Sequence, residues 1–170
     1  MSLWTRTWPP PLALVLGAGG LIPFVALSRP VSRALDVDGA LQPVRDAIGR
    51  PSLNHRELQV TYGCMILSFL GAPHWGFAFA SAPPSASAAT TAARLVWGVT
   101  PSLIAWPCAS MPAPLSLDAL TLGLVLALGV DALAWRAVAV PRSYLVLRVP
   151  LTLCASLSLQ SNRSPSLLHR

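Results

Sequence analysis

The chain has 170 residues (17.9 kDa), 54% of them apolar and only 11% charged, with a mean hydropathy of +0.58. Soluble domains carry roughly 25% charged residues, so a soluble fold is all but excluded, and at about 20 residues per bilayer crossing the length holds four to six spans and no second domain. The twelve basic residues are all arginine, give +6 against six acids, and punctuate long uncharged runs, a pattern of membrane topology that argues against nucleic-acid binding.

The charge-free stretches set the predicted elements. They run for 22 residues from Thr7 to Ser28, 36 from Leu58 to Ala93 and 23 from Leu95 to Leu117, each long enough to span. Two shorter gaps, 12 residues from Ala119 to Val130 and 14 from Val149 to Asn162, reach that length only by taking in Asp131 and Arg148. The predicted spans are therefore about Pro11 to Leu27, Leu58 to Ala80, Leu95 to Ser110, Leu117 to Trp135 and Tyr144 to Leu159. Together they make an all-α bundle of about five transmembrane helices, a single domain over residues 1–159.

Between the first two spans, Arg29 to Glu57 holds nine charged residues and reads as a polar loop. Within it Val37, Leu41, Val44 and Ile48 recur at helical spacing, which predicts a short amphipathic surface helix, limited by Gly39 and Pro43. The low-complexity run from Ser81 to Ala93 predicts a flexible connector, and the tail over 160–170 a disordered end. Met1 to Leu27 has one positive charge and an apolar run, but Gly19-Gly20-Leu21-Ile22-Pro23-Phe24 continues it without a convincing cleavage site, so a span is expected over a signal peptide. The arginine balance puts the N-terminus outside and the C-terminus in the cytoplasm or matrix.

Cys64, Cys108 and Cys154 each fall inside an apolar run and form no CxxC or Cys/His array, so they read as core residues. His55, His74 and His169 are scattered, and no metal site is expected. No GxSxG, HExxH, P-loop or dinucleotide fingerprint occurs. Gly17-Ala18-Gly19-Gly20 lies in a span without a preceding strand and reads as close helix packing. Neither an enzyme nor a cofactor is expected.

The ionisable residues inside the spans are the most informative feature. In a five-span bundle the end of span 2, the start of span 3, the end of span 4 and the start of span 5 lie on one side, which brings His74, Trp97, Thr100, Asp131 and Arg148 to similar depth. A lone carboxylate in hydrocarbon costs at least about 2.5 kcal/mol, and an arginine partner is the expected remedy. Ala119, Gly123 and Ala127 precede Asp131 at intervals of four and would turn it into the bundle, while Ser68, Ala72 and Gly76 make a second small-residue stripe, with Pro73 kinking the helix beside His74. Helix packing is expected at Gly71, Gly76 and Gly123. Three readings of the polar cluster His74, Asp131 and Arg148 stand side by side: a latch between spans 4 and 5, a polar cavity for a ligand or proton, and Arg148 snorkelling to headgroups alone. Trp75, Trp97, Trp106 and Tyr144 read as belt and packing residues.

Three blocks carry a family resemblance: Tyr62-Gly63 with Phe69-Leu70-Gly71-Ala72-Pro73-His74-Trp75-Gly76; Trp97-Gly98-Val99-Thr100-Pro101 through Trp106; and Asp131 followed by Pro141-Arg142-Ser143-Tyr144 through Arg148-Val149-Pro150. Together they resemble the transmembrane protein 69 family. Gly17 to Phe24 is similar to that family's first span, so the resemblance covers most of residues 12–159. Ser143 stands where the family usually has a tryptophan. The resemblance implies a small multi-pass protein of the mitochondrial inner membrane, with a bacterial inner membrane or a plastid membrane as other settings, and no established activity. The expected function is that of a non-catalytic membrane protein in the lipid bilayer, acting through other membrane proteins as an assembly factor or accessory subunit. The alternative is a small-solute or proton carrier built on His74, Asp131 and Arg148.

Overall fold

The computed structural model describes residues 8–80, 87–136 and 140–163. It is all-α, with no strand among the described residues. Five longer pieces carry the bundle: α1 (Pro11–Ala26), the broken pair α5 (His55–Phe69) and α6 (Ala72–Phe79), α7 (Ala88–Cys108), α8 (Ala113–Arg136) and α9 (Arg142–Ser161). The short helices α2 (Arg29–Ala34), α3 (Val37–Ala40) and α4 (Gln42–Ile48) occupy the charged segment.

Local sequence accounts for the ends. Pro11 opens α1 at a position where its missing N–H costs nothing. The Asn54 side chain caps α5 by accepting from the N–H groups of Arg56 and Glu57 at 3.0 and 3.1 Å, and the Ser87 hydroxyl caps α7 by accepting from Thr90 N at 3.1 Å. The expected single span over 58–80 is instead two helices. Pro73 has no N–H for the carbonyl four residues earlier, so α5 ends at Phe69, Leu70 and Gly71 interrupt, and α6 restarts with the proline in its first turn.

Other expectations shift with these ends. The connector is shorter than 81–93, because α7 begins at Ala88; residues 81–86 lie outside the described residues. Arg94, read as a charge flanking span 3, lies in the second turn of α7, is buried, and donates to Phe77 O at 3.4 Å. The loop helix is split rather than continuous: Asp36 adopts left-handed backbone and accepts from Gly39 N, and Pro43 falls in the first turn of α4, whose end at Gly49 is also left-handed. The polar tail starts later than residue 160, because α9 continues through Ser161 and Asn162 is fully buried; residues 164–170 lie outside the described residues.

α8 is central, packed on α9, α5 and α7; α6 packs on α7, and α1 lies along α9. Leu67, Leu117, Leu120, Leu124, Leu159 and Phe24 form the core. Cys108 is buried, Cys64 half-buried, and Cys154 exposed, so Cys154 is not the core residue its apolar run suggested. Large apolar side chains also cover the outside, among them Leu103, Trp106, Leu122 and Leu157.

By length and composition, α8 is the described helix long and apolar enough to cross a membrane, while α1 is apolar but shorter. The others fall short for visible reasons. α5 and α6 are each cut short by the break at Gly71, and α7 and α9 dilute their apolar residues with Thr, Ser, Pro and arginine, one in α7 and two in α9.

Candidate functional site

Asp131 sits on the inward face of α8, in register with buried Gly123 and Ala127 and half-buried Ala119. The small side chains below it let α5 approach: a Cβ at Gly123 would stand 2.6 Å from Leu67 Cδ2. His74 projects from α6 and Arg148 from α9. The carboxylate accepts from both, Oδ1 from His74 Nε2 at 2.8 Å and Oδ2 from Arg148 Nε at 2.9 Å. All three side chains are buried, at 2%, 1% and 7% exposure for His74, Asp131 and Arg148. An ionised aspartate has acceptors only, so His74 enters this bond as the donor. Burying such charges carries a desolvation penalty that only tight pairing with further hydrogen bonds offsets, and each carboxylate oxygen here has its own donor.

Two glycines position the His74 side of the cluster. Gly71 lies against the backbone of Gly98 on α7 so closely that a Cβ would collide with Gly98 O, and a Cβ on Gly98 would collide with the Trp75 indole. That close approach lets Trp75 Nε1 donate to Leu95 O at 2.8 Å and sets the Trp97 ring edge-on to His74, centroids 6.5 Å apart. Gly76, expected as a packing residue, is not one: a Cβ there meets nothing within 4 Å. The stripe of Ser68, Ala72 and Gly76 lies one residue off the inward face, which runs through Leu67, Gly71, His74 and Ala78, so Ala72 and Gly76 are exposed. Thr100 bonds its own helix, at Val96 O, 2.9 Å away.

A second polar node was not singled out from sequence. Gln59 and Asn162 are fully buried; Asn162 Nδ2 donates to Gln59 Oε1 at 2.7 Å and to Leu27 O at 2.8 Å, and Gln59 Nε2 donates to Phe24 O at 2.9 Å and Ser158 O at 3.3 Å. One signal was available for Gln59, an amide in an otherwise apolar run. Asn162 looked like the first stretch of a tail.

The cluster borders a cavity of about 290 Å³ between α1, α5, α6, α8 and α9. Its walls are apolar, with Leu21, Phe24, Ile66 and Leu124 among them, apart from a row on α9: Tyr144, Arg148 and Thr152. These are spaced by four and share one helix face. Tyr144 Oη, Arg148 Nη2 and Thr152 Oγ1 are all buried without a hydrogen-bond partner. Among the described residues no three His, Cys, Asp or Glu side chains converge as metal ligands.

Residues 9–162 match the family described as Protein of unknown function (DUF3429). The chain belongs to the DUF3429 family. This DUF3429 chain is also 38% identical over 97 residues to Transmembrane protein 69 of Xenopus tropicalis. The aligned part is 57% of this chain and 32% of that relative, so the chain spans about a third of the relative's length. The family likeness read from Tyr62-Gly63, the His74 block and the Asp131 to Pro150 segment is therefore shown. No solved structure matches the DUF3429 chain.

Proposed function

We propose that this DUF3429 protein is a five-span integral membrane protein, with α1, α5–α6, α7, α8 and α9 as its spans, that acts without catalysis, through partners, as an assembly factor or accessory subunit of a membrane complex. The observation that carries the reading is the distribution of polarity. Charged and amide side chains are buried and mutually bonded at His74–Asp131–Arg148 and Gln59–Asn162, while large apolar side chains cover the outside. That is the reverse of a soluble protein and suits lipid as the surrounding solvent. The relative's name, Transmembrane protein 69, agrees with it.

In this reading the Asp131 cluster is a latch that joins α6, α8 and α9. The docking region is the charged segment over α2–α4, which is pre-organised: Asp38 accepts from His55 N at 2.9 Å and pairs with His55 Nδ1 at 2.6 Å and Arg45 at 3.0 Å. The setting is the inner membrane of a mitochondrion or a bacterium, or a plastid membrane. The carrier alternative draws support from the cavity, which reaches the latch at Arg148.

Alkaline carbonate extraction tests membrane integration, and cell fractionation tests the compartment. Gentle solubilisation followed by size separation and mass spectrometry tests the rest. A reproducible large assembly, lost when Asp38, Arg45 and His55 are replaced together, supports the partner role. Migration alone, whatever the loop sequence, favours the carrier.

A further inference from the structure

The chamber beside α9 is walled by hydrocarbon. Leu16, Leu21, Ile66 and Leu151 line it. Tyr144, Arg148 and Thr152 border it as well, but Tyr144 Oη, Arg148 Nη2 and Thr152 Oγ1 are shut away from its space, so the wall these residues add is mainly carbon. A water held in such a space needs two to four polar partners, which a hydrocarbon wall does not supply. Left empty, the chamber would cost stability in proportion to its volume. At about 290 Å³ it is nearly twice the size of an engineered apolar cavity of about 150 Å³ that stays dry and takes up benzene. Hydrocarbon is the filling it suits.

We propose that this chamber is a binding site for one acyl chain of a bilayer phospholipid, held lengthwise between α1 and α9. Its shape selects a chain. The lining runs from Ala13 to Phe24 on α1 and from Tyr144 to Ala155 on α9, about 16 Å along each helix, which is about twice the diameter of a sphere of the same volume. One leaflet of a hydrocarbon core of about 30 Å has nearly the same depth, about 15 Å, so the chamber is as long as the chain of one lipid. Access selects the source. Leu16 on α1 and Phe69 on α5 both line the chamber and are each 66% exposed, so it opens sideways between these helices, where a membrane-embedded bundle meets lipid tails. α1 and α5 are tied lower down, where Tyr62 Oη donates to Gly20 O at 2.8 Å and the Phe24 and Tyr62 rings meet edge-on at 5.0 Å, which closes the inner end. The inference rests on the membrane-embedded reading.

The experiment is photolabelling of the full chain, reconstituted in a phosphatidylcholine bilayer, by phosphatidylcholine with a diazirine midway along one acyl chain, with the labelled residues mapped by mass spectrometry. Leu122 and Leu157 face outward, Leu70 and Ala155 line the chamber at 8% and 4% exposure, and Leu67 and Leu120 are fully buried in the core away from it. The expected result is label at Leu70 and Ala155, as well as at Leu122 and Leu157, clearly above that at Leu67 and Leu120. Gly20 lines the chamber, and a Cβ there has open space up to Tyr62 Oη at 3.8 Å. Gly20→Leu is therefore expected to lower the label at Leu70 and Ala155 by at least about fivefold, because the new side chain takes up the space of the guest, and to leave Leu122 and Leu157 unchanged. Label at Leu122 and Leu157 with none above the core level at Leu70 and Ala155 overturns the proposal and leaves the membrane reading standing; no label at Leu122 and Leu157 overturns both. Equal labelling of the chamber in Gly20→Leu, or stronger labelling there by a photoreactive sterol, also overturns it. The wild-type comparison of chamber with core decides the question even if Gly20→Leu does not fold.

Discussion

His74 and Arg148 hold opposite oxygens of one carboxylate: Asp131 Oδ1 takes the imidazole at 2.8 Å and Oδ2 the guanidinium at 2.9 Å. Asp131 thus joins both α6 and α9 to α8. Removing it leaves a guanidinium buried without its counter-charge, which typically costs about 3–5 kcal/mol. Asp131→Ala is therefore expected to lose most of its steady-state level and to unfold at a markedly lower temperature in detergent. Exchanging the charges in Asp131→Arg/Arg148→Asp restores part of the level if the pair is a latch. Normal abundance of Asp131→Ala would reject that role.

The two glycines of the α6 region predict opposite outcomes from the same substitution. Gly98→Ala drives a methyl into the Trp75 indole and is expected to cost about 1–3 kcal/mol as an overpacked contact. Gly76→Ala meets open space and is expected to be neutral or stabilising by up to about 1 kcal/mol through helix propensity. Melting temperatures of the two variants side by side check the contrast.

At the other polar node, Gln59→Leu removes the acceptor of Asn162 Nδ2 and the donor to Phe24 O and Ser158 O. Each single leucine variant at Gln59 or Asn162 should cost about 1–3 kcal/mol, because it strands the other amide. The double variant should cost less than the sum, by about 0.5–3 kcal/mol, since the two amides form one network. A double-mutant cycle on unfolding midpoints measures the coupling.

The charged segment carries a pH dependence with a definite sign. Burial raises the affinity of the Asp38 carboxyl for its proton, but the His55 backbone N–H, the His55 ring and the Arg45 charge outweigh burial and hold the group below its ordinary value of 3.8. A carboxylate depressed in the folded state contributes stability that is present above the ordinary value and is lost as pH falls through the depressed one. Protease cleavage within 29–57 is therefore expected to stay low at neutral pH and to rise below about pH 3.8, as read with an acid-active protease. Asp38→Asn should cleave readily at both ends of the range. Asp38 is 43% exposed, so solvent screening keeps the effect small and local.

The polar cluster was legible in the sequence because ionisable residues in apolar runs are rare and need partners. The interval of four from Ala119 to Asp131 also fixed which way the carboxylate would face. The start of α7 was not legible, because a Ser/Ala/Thr run reads as linker by composition while Ser87 caps it as a helix. The phase of α6 was hidden too. Intervals of four run through Ser68, Ala72 and Gly76 and equally, one residue earlier, through Leu67 and Gly71, and only the packed backbones of Gly71 and Gly98 show that the second face is the buried one, which leaves Gly76 outward. Asn162 escaped notice because its partners, Gln59 and Leu27, are distant in the chain, and periodicity carries no information about such pairings.

The two polar nodes lie at either end of α9, with Arg148 and Asn162 about 21 Å apart along its axis. A helix bolted at both ends can neither slide nor turn without breaking buried bonds, so α9 is the stator of this bundle. α1 is fastened differently. Among the described residues, the hydrogen bonds that tie it to other helices begin at Gly20, whose carbonyl accepts from Tyr62 Oη at 2.8 Å, and continue at Phe24 and Leu27 just beyond its end. Its first two turns touch α9 through Gly17 against Leu147 and Leu151, by van der Waals contact alone. Any widening of the chamber between them is then a swing of the proline-led end of α1 about a pivot near Gly20, while the latch at Asp131 stays closed.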